Sequence, residues 1–99
     1  RLLREVGGLS QDRLKALDDL GLETSAFKVL CYLSFKDRAM KPSEIAEKVW
    51  EKASTVRARL TELKDAGLIS ATPEGYVSNL TPYDMLMKLY REIKEELKG

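Results

Sequence analysis

The sequence contains no histidine and one cysteine, Cys31. Without histidine the commonest general base is missing, and so is every Ser-His-Asp or Cys-His arrangement. A lone cysteine makes no intrachain disulfide, and with no imidazole beside it a metal site is not expected. No apolar run approaches the roughly 20 residues that a membrane span needs, and the N-terminus carries no signal-peptide pattern. The expectation is a cytoplasmic chain with no membrane, metal or cofactor partner. The chain opens at Arg1 rather than at methionine, and a few residues or a tag are expected before it. Glutamine and asparagine occur once each, at Gln11 and Asn79, beside abundant Glu and Lys, a bias like that of heat-adapted proteins. Catalytic carboxylate pairs are also lacking: Asp18-Asp19 and Glu95-Glu96 are adjacent, so on a helix their side chains diverge. The chain is therefore not expected to be an enzyme.

What remains is a globular composition in one domain of 99 residues, 43% hydrophobic and 33% charged. Seventeen basic against sixteen acidic residues leave a net charge of +1, so the distribution of charge says more than its total.

Residues 1–9, with Leu2, Leu3, Val6 and Leu9 around Gly7 and Gly8, predict an N-terminal arm. Ser10 is an N-cap for a helix whose stripe is Leu14, Leu17 and Leu20, with Gly21 as a left-handed terminator. Thr24 caps the next helix. Its face of Ala26, Phe27, Leu30, Cys31 and Leu33, widened by Val29 and Tyr32 and interrupted by Ser34, marks it as the central one. Pro42 at a first helical position and Glu44 beside it open a short helix over about 42–49 that buries Ile45, Ala46 and Val49. A further helix spans about 53–66, with Val56, Leu60 and Leu63 inward and Gly67 as its stop. Only a few residues separate these two, which is helix-turn-helix spacing. The period then changes: 68–72 and 76–80 read as strands around the turn residues Pro73-Glu74-Gly75. Thr81-Pro82-Tyr83-Asp84 reads as a capping box, opening a last helix over about 82–98.

Three helices, the last two a helix-turn-helix, followed by a hairpin predict a mainly α chain with a small β-hairpin. The expected architecture is a winged helix-turn-helix: arm 1–9, core 10–80 and an added C-terminal helix in 81–99. The segment PSEIAEKVWEKASTVRARLTELKDAGLI resembles, without a gap, the core of MarR-type and TrmB-type regulators. The resemblance rests on Ser43-Glu44-Ile45-Ala46, Ser54-Thr55-Val56, the Leu60 and Leu63 pair and Gly67-Leu68-Ile69. Leu20-Gly21-Leu22 resembles the TrmB-type lead-in, and Leu80-Thr81-Pro82 the MarR-type junction to the terminal helix. The resemblance covers about residues 14–90. It implies a DNA-binding transcription regulator, commonly archaeal for the TrmB-like kind. Trp50 departs from the pattern, since family members often place glycine in that turn. A bulky residue resists positive φ, so a rebuilt turn or a longer first helix is expected. The large ligand-binding domain of TrmB-type regulators is missing from the sequence, so sugar sensing is not carried over.

The expected partner is double-stranded DNA, with the helix at 53–66 in the major groove. Lys52, Ser54, Thr55, Arg57, Ala58 and Arg59 are left near its outer side, where Arg reads guanine and Ser or Thr meets bases or phosphates. Lys41 and Lys48 flank the bracing helix and are candidates for phosphates. The hairpin tip has one acid and no base, and with a near-neutral total this implies modest affinity and a shallow salt slope. The other reading is a protein-interaction adaptor that does not bind DNA. The last helix carries Leu86, Leu89, Tyr90, Ile93 and Leu97 on one face, more than its own domain needs. It is the expected homodimer interface, aided by Leu2, Leu3 and Val6. Trp50, Phe27, Phe35 and Tyr32 are expected in the core or at an interface, and Cys31 is expected to act as a small buried hydrophobe.

Overall fold

The computed structural model describes residues 10–98, so the arm at 1–9 and the expected contacts of Leu2, Leu3 and Val6 lie outside it. Among the described residues the order is α1 (Gln11–Asp19), α2 (Ser25–Ser34), α3 (Pro42–Val49), α4 (Ala53–Asp65), β1 (Ile69–Thr72), β2 (Gly75–Ser78) and α5 (Pro82–Lys98). The protein is mainly helical with one small antiparallel hairpin. No described helix is long and apolar enough to cross a membrane.

Local chemistry sets most boundaries. Ser10 Oγ accepts from the Arg13 N–H at 3.2 Å, and Thr24 Oγ1 accepts from the Phe27 N–H at 3.1 Å, so each satisfies an orphan donor of a first helical turn. The box opening α5 is reciprocal: the Asp84 N–H donates to Thr81 Oγ1 at 3.1 Å, and the Thr81 N–H donates to Asp84 Oδ2 at 2.8 Å. Gly67, at φ 80, supplies the left-handed residue just past α4. Gly21 does not play that part. α1 ends at Asp19, Leu20 is extended (φ −74, ψ 129), and the glycine has no positive φ. A Leu20 that turns back toward the core ends the helix without a left-handed residue.

The strands are shorter and shifted relative to the sequence expectation. They pair Ile69 with Ser78 through Thr72 with Gly75, leaving only Pro73 and Glu74 in the turn. Gly75 belongs to β2 because of its neighbour. Met40 bridges to Tyr76, with its N–H donating at 3.0 Å and its C=O accepting at 2.8 Å. A Cβ on Gly75 would lie 2.5 Å from the Met40 carbonyl oxygen. Asn79 leaves the strand to bind back, its side-chain amide donating to the Gly67 C=O and its carbonyl accepting from Ser70 Oγ.

The core joins Leu17, Val29, Leu30, Leu33, Ile45, Val56, Leu60, Leu63 and Ile69, with α2 central among the helices. Ser34, which breaks the stripe of α2, is itself buried. Its hydroxyl lies 2.8 Å from both the Leu30 C=O and Ser78 Oγ, so it ties α2 to the hairpin.

Candidate nucleic-acid interface

The spacing of α4 decides what it presents. Val56, Leu60 and Leu63 are buried against the body, which leaves Ser54, Arg57, Ala58 and Thr61 exposed on the opposite side. Lys52, also exposed, is the N-cap residue; a lysine has no acceptor to offer, so the first-turn N–H groups have no side-chain cap. Thr55 and Arg59 are half-buried.

The two arginines differ in the fold. Arg59 Nη2 donates to Glu62 Oε2 at 2.8 Å, one turn along the helix, and its Nε is buried with no partner among the described residues. Arg57 is exposed and makes no ion pair among the described residues. Arg57 is thus ready to meet an external acceptor, whereas Arg59 must first leave Glu62. A sequence signal for this was available: Glu62 stands three residues after Arg59, at a helical pairing distance, and no acid stands three or four residues from Arg57.

α3 crosses beside α4. Lys41 and Lys48 are exposed at its two ends. Glu44 Oε1 accepts from the Lys41 backbone N–H at 2.9 Å, and Glu44 Oε2 lies 3.5 Å from the Arg38 guanidinium. That backbone hydrogen bond, helped by Arg38 and Lys41, holds the Glu44 carboxyl below the usual glutamate range.

The turn between α3 and α4 corrects the expectation for Trp50. α3 stops at Val49, and Trp50 adopts φ 63, ψ 44, the left-handed conformation that a glycine would take. The turn is neither rebuilt nor absorbed into a longer helix. The Trp50 N–H donates to the Ala46 C=O at 3.0 Å, and Lys28 Nζ reaches both the Val49 C=O at 3.3 Å and Glu51 Oε2 at 3.1 Å, pinning the turn to α2. These bonds overrule the side chain's preference. The indole is 90% exposed, so Trp50 is not a core residue of this chain, and neither is the half-exposed Phe35. Phe27 is buried and Tyr32 half-buried, as expected. Trp50 forms one wall of an open cavity of about 620 Å³ whose other sides include Leu22, Phe27, Tyr32 and Val49. Cys31 lines the same cavity, and burial pushes its thiol pKa up.

The hairpin tip, Pro73 and Glu74, is exposed and carries the acid alone. On α5, Leu86, Leu89, Tyr90, Ile93 and Leu97 are exposed, and so is Tyr83, which the sequence reading left out of the face. The opposite side of α5 holds what sequence reasoning missed. Lys88 is 0% exposed, its ammonium bound to Glu92 Oε2 at 3.0 Å and the Asp18 C=O at 3.3 Å, and lying over the Phe27 ring. Arg91 pairs with Asp18 through two nitrogens. The sequence signal was available: Asp84, Lys88 and Arg91 recur at helical spacing opposite the apolar stripe. A charged stripe ordinarily faces solvent, however.

No protein-family model, curated protein or solved structure matches the chain. Function is therefore read from the geometry.

Proposed function

We propose that the protein is a homodimeric winged helix-turn-helix that binds double-stranded DNA sequence-specifically and regulates transcription by occupying an operator. The observation that carries this reading is the outer face of α4. It is a thirteen-residue helix with Ser54, Arg57 and Ala58 uncovered, Lys52 at its N-terminal end, and the short α3 braced behind it. A helix presented this way fits a major groove about 12 Å wide. Arg57 has the fork geometry to take guanine O6 and N7, and Ser54 and Thr55 can meet bases or phosphates. Lys41 and Lys48 lie where α3 would approach the backbone. The hairpin is the wing, and its acidic tip adds little attraction for phosphate. One module of net charge +1 would bind weakly, whereas two held together gain from each other's local concentration.

The second copy is supported by α5. Tyr83, Leu86, Tyr90, Ile93 and Leu97 are each more than half exposed. With Leu89 they offer up to roughly 600 Å² per copy, or about 1,200 Å² in total, the lower bound for a specific stable interface. Ile93→Glu is expected to give monomers in sedimentation; a dimer that survives it does not use α5.

The adaptor reading rests on one observation, the base-free hairpin tip around Glu74. The two readings separate on mixed duplex DNA at about 50 mM salt. A mobility shift that weakens when Arg57→Ala and Arg59→Ala are combined supports DNA recognition. No shift from an intact folded dimer supports the adaptor.

A further inference from the structure

Trp50 is the sole tryptophan of the chain, and the fold gives its side chain nothing to do. The bonds that hold the α3–α4 turn run from the Trp50 backbone N–H to the Ala46 C=O and from Lys28 to the Val49 C=O and Glu51; none uses the indole. Glycine would make the same backbone bond at φ 63 without strain. Trp50 is also the most exposed large apolar residue among those described, so the cavity beside it leaves the ring open. A strained backbone that displays an unpacked aromatic points to a contact outside the chain.

Its place in the fold says which contact. In helix-turn-helix docking the N-terminal residues of the second helix meet base edges while the first helix crosses the backbone of the duplex. The turn joins these two, so it stands at the lip of the groove. Trp50 follows the last residue of α3 and precedes Ala53, the first of α4, by three residues, or at most about 11 Å of chain. Lys48 and Lys52 stand two residues to either side, both exposed and neither in an ion pair among the described residues. Two acids share the segment. Glu51 is paired with Lys28, and Glu47 is adjacent to Lys48 on α3, so their side chains diverge. A nucleic-acid strand matches this alternation, with phosphates for the ammonium groups and the apolar face of a deoxyribose for the ring. A protein partner without acids to match would meet two unpaired ammonium groups around its apolar contact.

Resting on the DNA reading above, we propose that Trp50 packs its indole against the sugar–phosphate strand at the lip of the major groove, between phosphates met by Lys48 and Lys52. The contact is to the backbone, so it strengthens binding on any sequence and leaves the choice of bases to α4.

The test uses the full chain, with Trp50→Gly, Trp50→Phe and Lys48→Ala as variants and circular dichroism to establish that each is folded. The probe is a mixed-sequence duplex at about 50 mM salt. The wild-type tryptophan emission is expected to change on titration and to saturate together with the mobility shift. Trp50→Gly is expected to bind about tenfold more weakly, as losing roughly half of an indole's apolar burial would give, and Trp50→Phe to recover most of the loss. Removing an uncharged ring leaves the slope of log affinity against log salt at its wild-type value, whereas Lys48→Ala lowers it by about 1 per copy. Emission unmoved at saturating duplex, or Trp50→Gly binding as tightly as wild type, overturns the contact while the DNA reading stands, and leaves the indole to a protein partner. A flattened salt slope in Trp50→Gly overturns it too, because the residue then acts by placing the lysines. A wild-type protein that gives no mobility shift removes the DNA reading itself, and the contact with it.

Discussion

Replacing Trp50 by glycine is expected to stabilise the protein. A left-handed residue with a side chain costs about 1–2 kcal/mol relative to its preferred regions, and Trp50 stands there at φ 63. Glycine removes that cost and returns about 0.5–1 kcal/mol through the freer unfolded chain. Almost no packing is lost, because the indole is 90% exposed. The net gain is about 0.5–1 kcal/mol, or a rise in Tm of about 3–6 °C for a chain of this size. Trp50→Ala is the control: it removes the same side chain but keeps a Cβ at positive φ, so it gains little. Thermal unfolding followed by circular dichroism compares the three proteins without needing the tryptophan signal. Glycine no more stable than alanine would refute the strain account. A strained, exposed aromatic that its own fold does not need is the kind of outlier that functional surfaces retain.

Three other perturbations test the fold and its charges. Lys88→Met keeps the buried stem and lets the half-exposed Glu92 turn to water, so its effect on stability is expected to stay within about 1 kcal/mol, whereas Lys88→Ala leaves a void costing about 2–3 kcal/mol; urea unfolding of both distinguishes packing from charge. Gly75→Ala drives a Cβ into the Met40 carbonyl and is expected to lower stability by about 2 kcal/mol or more, read from the same assay. Glu44 has a lowered pKa in the fold, so its contribution is full above the ordinary glutamate range and is lost as pH falls through its folded value. The stability gap between wild type and Glu44→Ala is accordingly expected to close on acidification, and a gap unchanged from neutral to strongly acidic pH contradicts that linkage.

The elements were largely legible because their ends carry side-chain chemistry. Ser10, Thr24, Pro42, Gly67 and the Thr81–Asp84 box each act as read, and α3 and α5 span the expected residues. The misses share one cause: distant contacts outvoted local preference. Lys28 and the α3 hydrogen bonds hold Trp50 left-handed, and the Met40 bridge draws Gly75 into β2. Asp18, far away in sequence, pairs with Arg91 and helps bury Lys88. At the candidate interface the composition of the α4 face was visible in advance. The difference between Arg57 and Arg59 was legible too, since only Arg59 has an acid, Glu62, at a helical pairing distance.

The central claim is that α4 projects Arg57 into a major groove from a two-fold dimer. Selection of bound sequences from random duplexes, run in parallel with wild type and Arg57→Ala, tests it most directly. The expected product is a palindrome whose half-sites lie about one helical turn, roughly 34 Å, apart, with a guanine in each half-site whose enrichment disappears in Arg57→Ala. No enrichment from a folded wild-type dimer, or the same enrichment with and without Arg57, contradicts it.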